Sequence, residues 1–147
     1  MKYFTPEWWF DEVEDMAGPV EAYRRYIDSI RSDLTVGLVS LLDLVSLHDS
    51  RLRDLVVDGP GRSMKLVLDG LVDPWSPSGT DPRRFTLTYQ GLRSFQVKSC
   101  EEERQMRRDV GYDEIERLDD GTFEHRMLFA SGDEFVVRFL DLQLEYT

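Results

Sequence analysis

The sequence predicts an α+β fold, with N-terminal helices packed on a strongly twisted antiparallel β-meander or partly closed barrel of about six to seven strands. Three observations carry this expectation. Seven short segments between Arg51 and Tyr146 alternate apolar with polar residues, the side-chain period of a half-buried strand. Gly, Pro and Asp clusters separate them as turns. The residues before them instead repeat their apolar positions at helical spacing.

Thr5-Pro6-Glu7 is a helix start: Thr caps a free N–H, Pro needs no donor at the first helical position, and Glu favours the positive end of the dipole. Trp9, Val13 and Met16 form an apolar stripe with Trp8 beside it. Gly18 and Pro19 end this helix and start a second, in which Tyr23, Tyr26, Ile27 and Ile30 face inward against Arg24, Arg25 and Asp28. The two aromatic stripes are expected to cover a face of the sheet. Residues 34–47 are ambiguous. Leu34, Leu38, Leu41 and Val45 fit a helix, Leu42, Leu44 and Leu47 suit an extended entry into the sheet, and Asp33 as a cap favours the helix.

Strand 52–57 turns at Asp58-Gly59-Pro60-Gly61 into a strand with Met64, Leu66 and Leu68 on one face. After a Pro- and Ser-rich loop over 73–82, Phe85, Leu87 and Tyr89 alternate with Thr86 and Thr88, and Gly91 marks a hairpin turn into Leu92, Phe95 and Val97. Ser99 and Glu102 form a capping box, which places a short helix near 100–108. Strands over 110–118, 122–129 and 134–146 follow, joined by Asp119-Asp120-Gly121 and Ser131-Gly132-Asp133. In the last one Phe135, Val137 and Phe139 share one parity and Leu140, Leu142, Leu144 and Tyr146 the other, which predicts a bulge or bend near Phe139.

A chain of 147 residues suits one domain, mainly helical over 1–47 and β-sheet over 48–147. Its 41% apolar content supports a real core despite 32% charged residues. The net charge of −11 repels nucleic acid and anionic lipid and attracts a basic protein surface. The one cysteine, Cys100, forms no intramolecular disulfide, and neither a secretory signal nor a membrane-length apolar run is evident, so a cytoplasmic protein is expected. No cofactor is expected either, because phosphate-binding loop, dinucleotide, nucleophile-elbow and paired-cysteine motifs are missing. Unpaired edge strands allow a monomer or a weak homodimer, with Arg51, Arg53 and Lys65 as protecting charges.

Few residues carry chemistry. His48-Asp49 resembles the pair that names a class of metal-dependent phosphohydrolases, but no histidine precedes it to complete that ligand set. The pair is expected in the loop before the first strand, with Asp49 accepting from nearby N–H groups. His125 shares its parity with Phe123, Met127 and Phe129 and so belongs to the buried face. If His48 and His125 converge with Asp49 or Glu114, they can hold a divalent metal with an open position. Tyr112, Asp113 and Glu114 form an acidic patch on a strand, and Trp75 stands in a polar loop as a candidate contact residue.

The opening Met-Lys-Tyr-Phe-Thr with Glu7-Trp8, the Leu47-His48-Asp49 entry, Tyr112-Asp113-Glu114, and the late strand with Phe139 and Asp141 together resemble an uncharacterised bacterial family of small proteins classed as a domain of unknown function. The resemblance spans nearly the whole chain. It implies no particular activity and marks His48, Asp49 and Tyr112 to Glu114 as residues of interest. More loosely, the chain resembles immunity proteins that neutralise toxins. The expected function is therefore a protein-binding module for a basic partner, with a small metal-assisted hydrolase centred on His48, Asp49 and His125 as the alternative.

Overall fold

A computed structural model of the chain describes residues 1–10, 15–73, 82–100 and 108–146. Among the described residues three α-helices lead into eight strands, more than the six or seven expected: α1 (Pro6–Phe10), α2 (Ala17–Ile30), α3 (Val36–Leu44), β1 (Val45–Asp58), β2 (Ser63–Val72), β3 (Arg83–Gln90), β4 (Ser94–Lys98), β5 (Val110–Arg117), β6 (Phe123–Phe129), β7 (Glu134–Phe139) and β8 (Asp141–Tyr146). The α+β class holds, but the single meander or partly closed barrel does not. The strands form two antiparallel sheets of four, ordered β1-β2-β3-β8 and β4-β7-β6-β5.

Helix α1 starts as the sequence indicates, with Trp8 N–H donating to Thr5 Oγ1 at 3.2 Å. Its inward residue is Trp8, 6% exposed, while Met16 is 47% exposed and lies beyond the helix. Val13 lies outside the described residues. Gly18 and Pro19 fall inside the first turn of α2, a position where a missing proline N–H costs nothing. Asp15 Oδ1 accepts there from Gly18 N–H at 2.8 Å. Residues 34–47 resolve into both alternatives, helix to Leu44 and strand from Val45, and the cap is Thr35 rather than Asp33, which lies in a preceding 3-10 turn.

The β1–β2 hairpin closes at Asp58 and Ser63 as its turn residues predict. Gly91 has positive φ, +62°, but no hairpin follows it. Strand β3 already has β2 and β8 on its two sides, so β4 crosses to the other sheet and pairs with β7. The phase change near Phe139 has the same meaning. β7 ends there, Leu140 is 43% exposed with its N–H donating to Gln90 O, and β8 begins in the opposite sheet. What alternation shows as a bulge is a strand switching layers, which reverses the face that each parity buries.

Both sheets and α3 contribute to one core. Leu38, Leu41, Leu66, Leu68, Leu87 and Tyr89 meet Ile115, Met127, Val137 and Phe139, none more than 2% exposed. Each such side chain contributes roughly 1.5–3 kcal/mol of transfer free energy. Helix α3 lies directly on β8, and a Cβ at Gly37 would sit 1.6 Å from the Leu142 carbonyl oxygen. Lys65 does not guard an edge, because β2 is an interior strand. The predicted helix near 100–108 falls almost wholly on residues outside the described set, and no described helix is long and apolar enough to cross a membrane.

Candidate functional site at the β1–β5 junction

Strand β5 is the edge of its sheet, and most of the residues singled out in the sequence gather along it. Its outward backbone groups are met by side chains from elsewhere. Ile115 N–H donates to Tyr23 Oη at 2.7 Å and Arg117 N–H to Tyr26 Oη at 2.9 Å, so the tyrosines of α2 cap the edge. Further along, Leu52 N–H donates to Arg108 O at 2.9 Å, and Arg51 forms an isolated bridge with Asp109. An edge occupied in this way is a poor template for strand addition. Burial first, and then the nearby negative charge of Asp113, pushes the Tyr23 hydroxyl well above the ordinary tyrosine range, so it serves here as a neutral acceptor.

His48 and Asp49 reach this edge through a bulge inside β1, not through a loop before it. Between Ser46↔Leu71 and Arg51↔Asp69, β1 advances five residues while β2 advances two, leaving three extra residues in β1. Asp49 adopts positive φ, +62°, which aspartate tolerates better than most residues. Ser50 is fully buried, its hydroxyl donating to Ser46 O at 2.9 Å, and Gly70 makes room for it: a Cβ there would stand 1.9 Å from Ser50 Oγ. The bulge turns His48 toward β5, where its Nδ1 hydrogen-bonds Gly111 O. Because a carbonyl only accepts, Nδ1 carries a proton, and the ring nitrogen left over for another contact is Nε2. That nitrogen lies 3.5 Å from Asp49 Oδ2; the His48 side chain is 51% exposed and the Asp49 side chain 86%. The expected role of Asp49 as acceptor for neighbouring N–H groups is not observed; His48 makes the backbone contact.

Tyr112, Asp113 and Glu114 serve three different places. Tyr112 is the hub of an aromatic cluster, with Trp8 at 4.9 Å, Phe4 at 5.2 Å, Trp9 at 5.7 Å and the His48 ring at 5.0 Å between centroids. Asp113 accepts from His125 Nε2 at 3.0 Å, and His125 Nδ1 lies 2.8 Å from Tyr89 Oη. Burial and then Asp113 hold the Tyr89 hydroxyl well above the usual tyrosine value, so it donates to the histidine. Glu114, 1% exposed, takes the N-terminal strap: the N–H groups of Lys2, Tyr3 and Phe4 donate to its carboxylate, and Arg126 Nη1 lies 3.1 Å away. Arg126 also pairs with Glu116 at 2.8 Å and Glu124 at 2.5 Å. Burial alone would lower its pKa, and the three carboxylates outweigh that and raise it. The acidic patch is thus divided between internal contacts, Asp113 with His125 and Glu114 with the N-terminal strap and Arg126.

The structure does not gather His48, Asp49 and His125 into a metal-binding group. His125 is fully buried with both ring nitrogens hydrogen-bonded to protein, and among the described residues no three His, Cys, Asp or Glu side chains are arranged to hold an ion. Trp75 lies outside the described residues. The N-terminal apolar stripe includes Trp9 but does not show what it packs on. Trp9, half-buried, lies against Gly111 so closely that a Cβ on the glycine would stand 1.9 Å from its ring. A glycine inside an alternating strand is the signal that marks such a close approach.

Comparison with protein-family models and with curated proteins finds no match to this chain.

Proposed function

We propose that the protein is a small acidic binding module for a basic protein partner, immunity-like in kind, which contacts that partner through the β1–β5 junction. The observation that carries this reading is the bulge. It uses a left-handed aspartate and a glycine cut-out to place His48 and Asp49 outward, with the His48 ring against Tyr112, while Asp113, Glu114 and His125 are held in internal contacts. An exposed carboxylate beside an imidazole that packs on Tyr112, in a chain of net charge −11, complements a basic surface and accelerates encounter with it. Trp75, from the sequence, is a second candidate contact in this proposal.

The test is affinity capture from the organism's own lysate at low salt. A single stoichiometric basic protein that elutes as salt rises, and that is retained less by Trp75→Ala or Asp49→Asn, supports the reading. A partner retained equally in high salt removes its electrostatic basis. No observation favours the hydrolase alternative, since the groups it needs are not together.

A further inference from the structure

We infer that the His48–Asp49 bulge is a receptor for a single arginine side chain; this rests on the protein-binding reading and specifies the group that is bound. With the His48 ring neutral, the pair offers two adjacent side-chain acceptors. In the neutral imidazole Nε2 is the acceptor, since Nδ1–H is committed to Gly111 O, and Asp49 Oδ2 stands 3.5 Å from it. Among the described residues no lysine or arginine pairs with either group. The complement of two adjacent acceptors carrying one negative charge is a cation with two neighbouring N–H donors.

A guanidinium meets that requirement and an ammonium meets it less well. The planar fork of arginine directs parallel N–H bonds at paired acceptors, is more weakly hydrated than an ammonium, and stacks on aromatic rings. The imidazole of His48 and the ring of Tyr112 lie 5.0 Å apart at 43°, and Tyr112 packs in turn on Phe4, Trp8 and Trp9, so the exposed His48 ring that a guanidinium would lie against is already held in place. The acceptors are preorganised too. Ser50 and Gly70 lock the bulge, and the left-handed backbone at Asp49 turns its carboxylate to solvent. A bare divalent cation lacks a third protein ligand here, and an anion is repelled.

The experiment is a solution NMR titration of the full chain with two peptides of equal length and charge, one tri-arginine and one tri-lysine, followed at the His48 ring, the Asp49 amide and the Tyr112 ring. The arginine peptide is expected to shift these signals and to bind roughly tenfold more tightly than the lysine peptide. Asp49→Asn keeps size and tolerance of positive φ while removing the charge, and is expected to weaken arginine binding about tenfold with the rest of the spectrum unchanged. Equal response to both peptides, shifts centred elsewhere, or undiminished binding by Asp49→Asn overturns the inference. So does concentration-dependent perturbation of the same signals without peptide, which makes the occupant a second copy of the chain. A captured basic partner that binds Asp49→Asn normally defeats the arginine receptor and leaves the binding module standing. Arginine binding at the bulge with no protein partner retained does the reverse.

Discussion

The hydroxyl of Tyr89 and Nδ1 of His125 meet at 2.8 Å between the two sheets, one residue from β3 and the other from β6, both fully buried. With Asp113 on the far nitrogen, the three side chains form a polar chain from the sheet edge into the core, and every buried side-chain polar atom among the described residues has a partner. Such a chain is specific because its members satisfy one another and no alternative packing does.

Tyr89→Phe removes one donor and leaves the His125 acceptor buried without it, so stability should fall by about 1–3 kcal/mol. The sharper measurement is a double-mutant cycle with Asp113→Asn under chemical denaturation. A coupling energy well above zero is expected, because both substitutions act on one imidazole. Strict additivity would show that the chain is not a unit.

Glu114→Ala should release the N-terminal strap, since the N–H groups of Lys2, Tyr3 and Phe4 share that carboxylate. Arg126 keeps Glu116 and Glu124, so the loss belongs near the lower end for a broken buried pair, about 3 kcal/mol. Amide hydrogen exchange checks it: protection should vanish at Tyr3 and Phe4 before it changes at Met127 in the core. Unchanged exchange at the strap would contradict the assignment.

Helix stripes, strand parity and turn residues made the local structure legible. The inward set of β2 and β3, the turn at Gly121 and the burial of His125 all follow from period and from positive-φ glycine. Layer membership was not legible, because alternation tells a strand which side is buried but not which sheet it joins. Leu140 and Gly91 therefore read as a bend and a hairpin, though both are crossings between sheets. The site was legible in its residues and not in their roles. His48, Asp113 and Glu114 engage partners 63, 12 and up to 112 positions away, separations that no local spacing encodes.

Gly37→Ala should be severely destabilising despite the ordinary helix preference for alanine. Its Cβ would fall 1.6 Å from the Leu142 carbonyl oxygen, a backbone atom of β8 that cannot rotate away, so α3 must shift off the sheet. The cost expected is at least the 1–3 kcal/mol typical of overpacking, about the same as adding methylenes to a filled core. Gly59→Ala is the control, with open space around its Cβ, and should change thermal stability little. If the two variants melt alike, α3 does not lie on β8 as closely as described.

Asp120 gives the fold an acid sensitivity whose direction is fixed. Hydrogen bonds from the Thr122 side chain and then its backbone N–H, with Arg138 adding its charge, lower the Asp120 carboxyl from 3.8 to about 2. The folded value lies below the unfolded one, so the native state gains stability above pH 3.8 and loses it as pH falls through about 2. Asp120→Asn cannot take up that proton. The variant should therefore be less stable than the parent at about pH 5, and the gap between their denaturation midpoints should close as pH is taken down towards 2. Because the carboxylate is exposed, added salt should narrow the same gap at constant pH. A difference that stays constant across the acid range would mean that the substitution acts through the turn geometry at Gly121 and not through the charge.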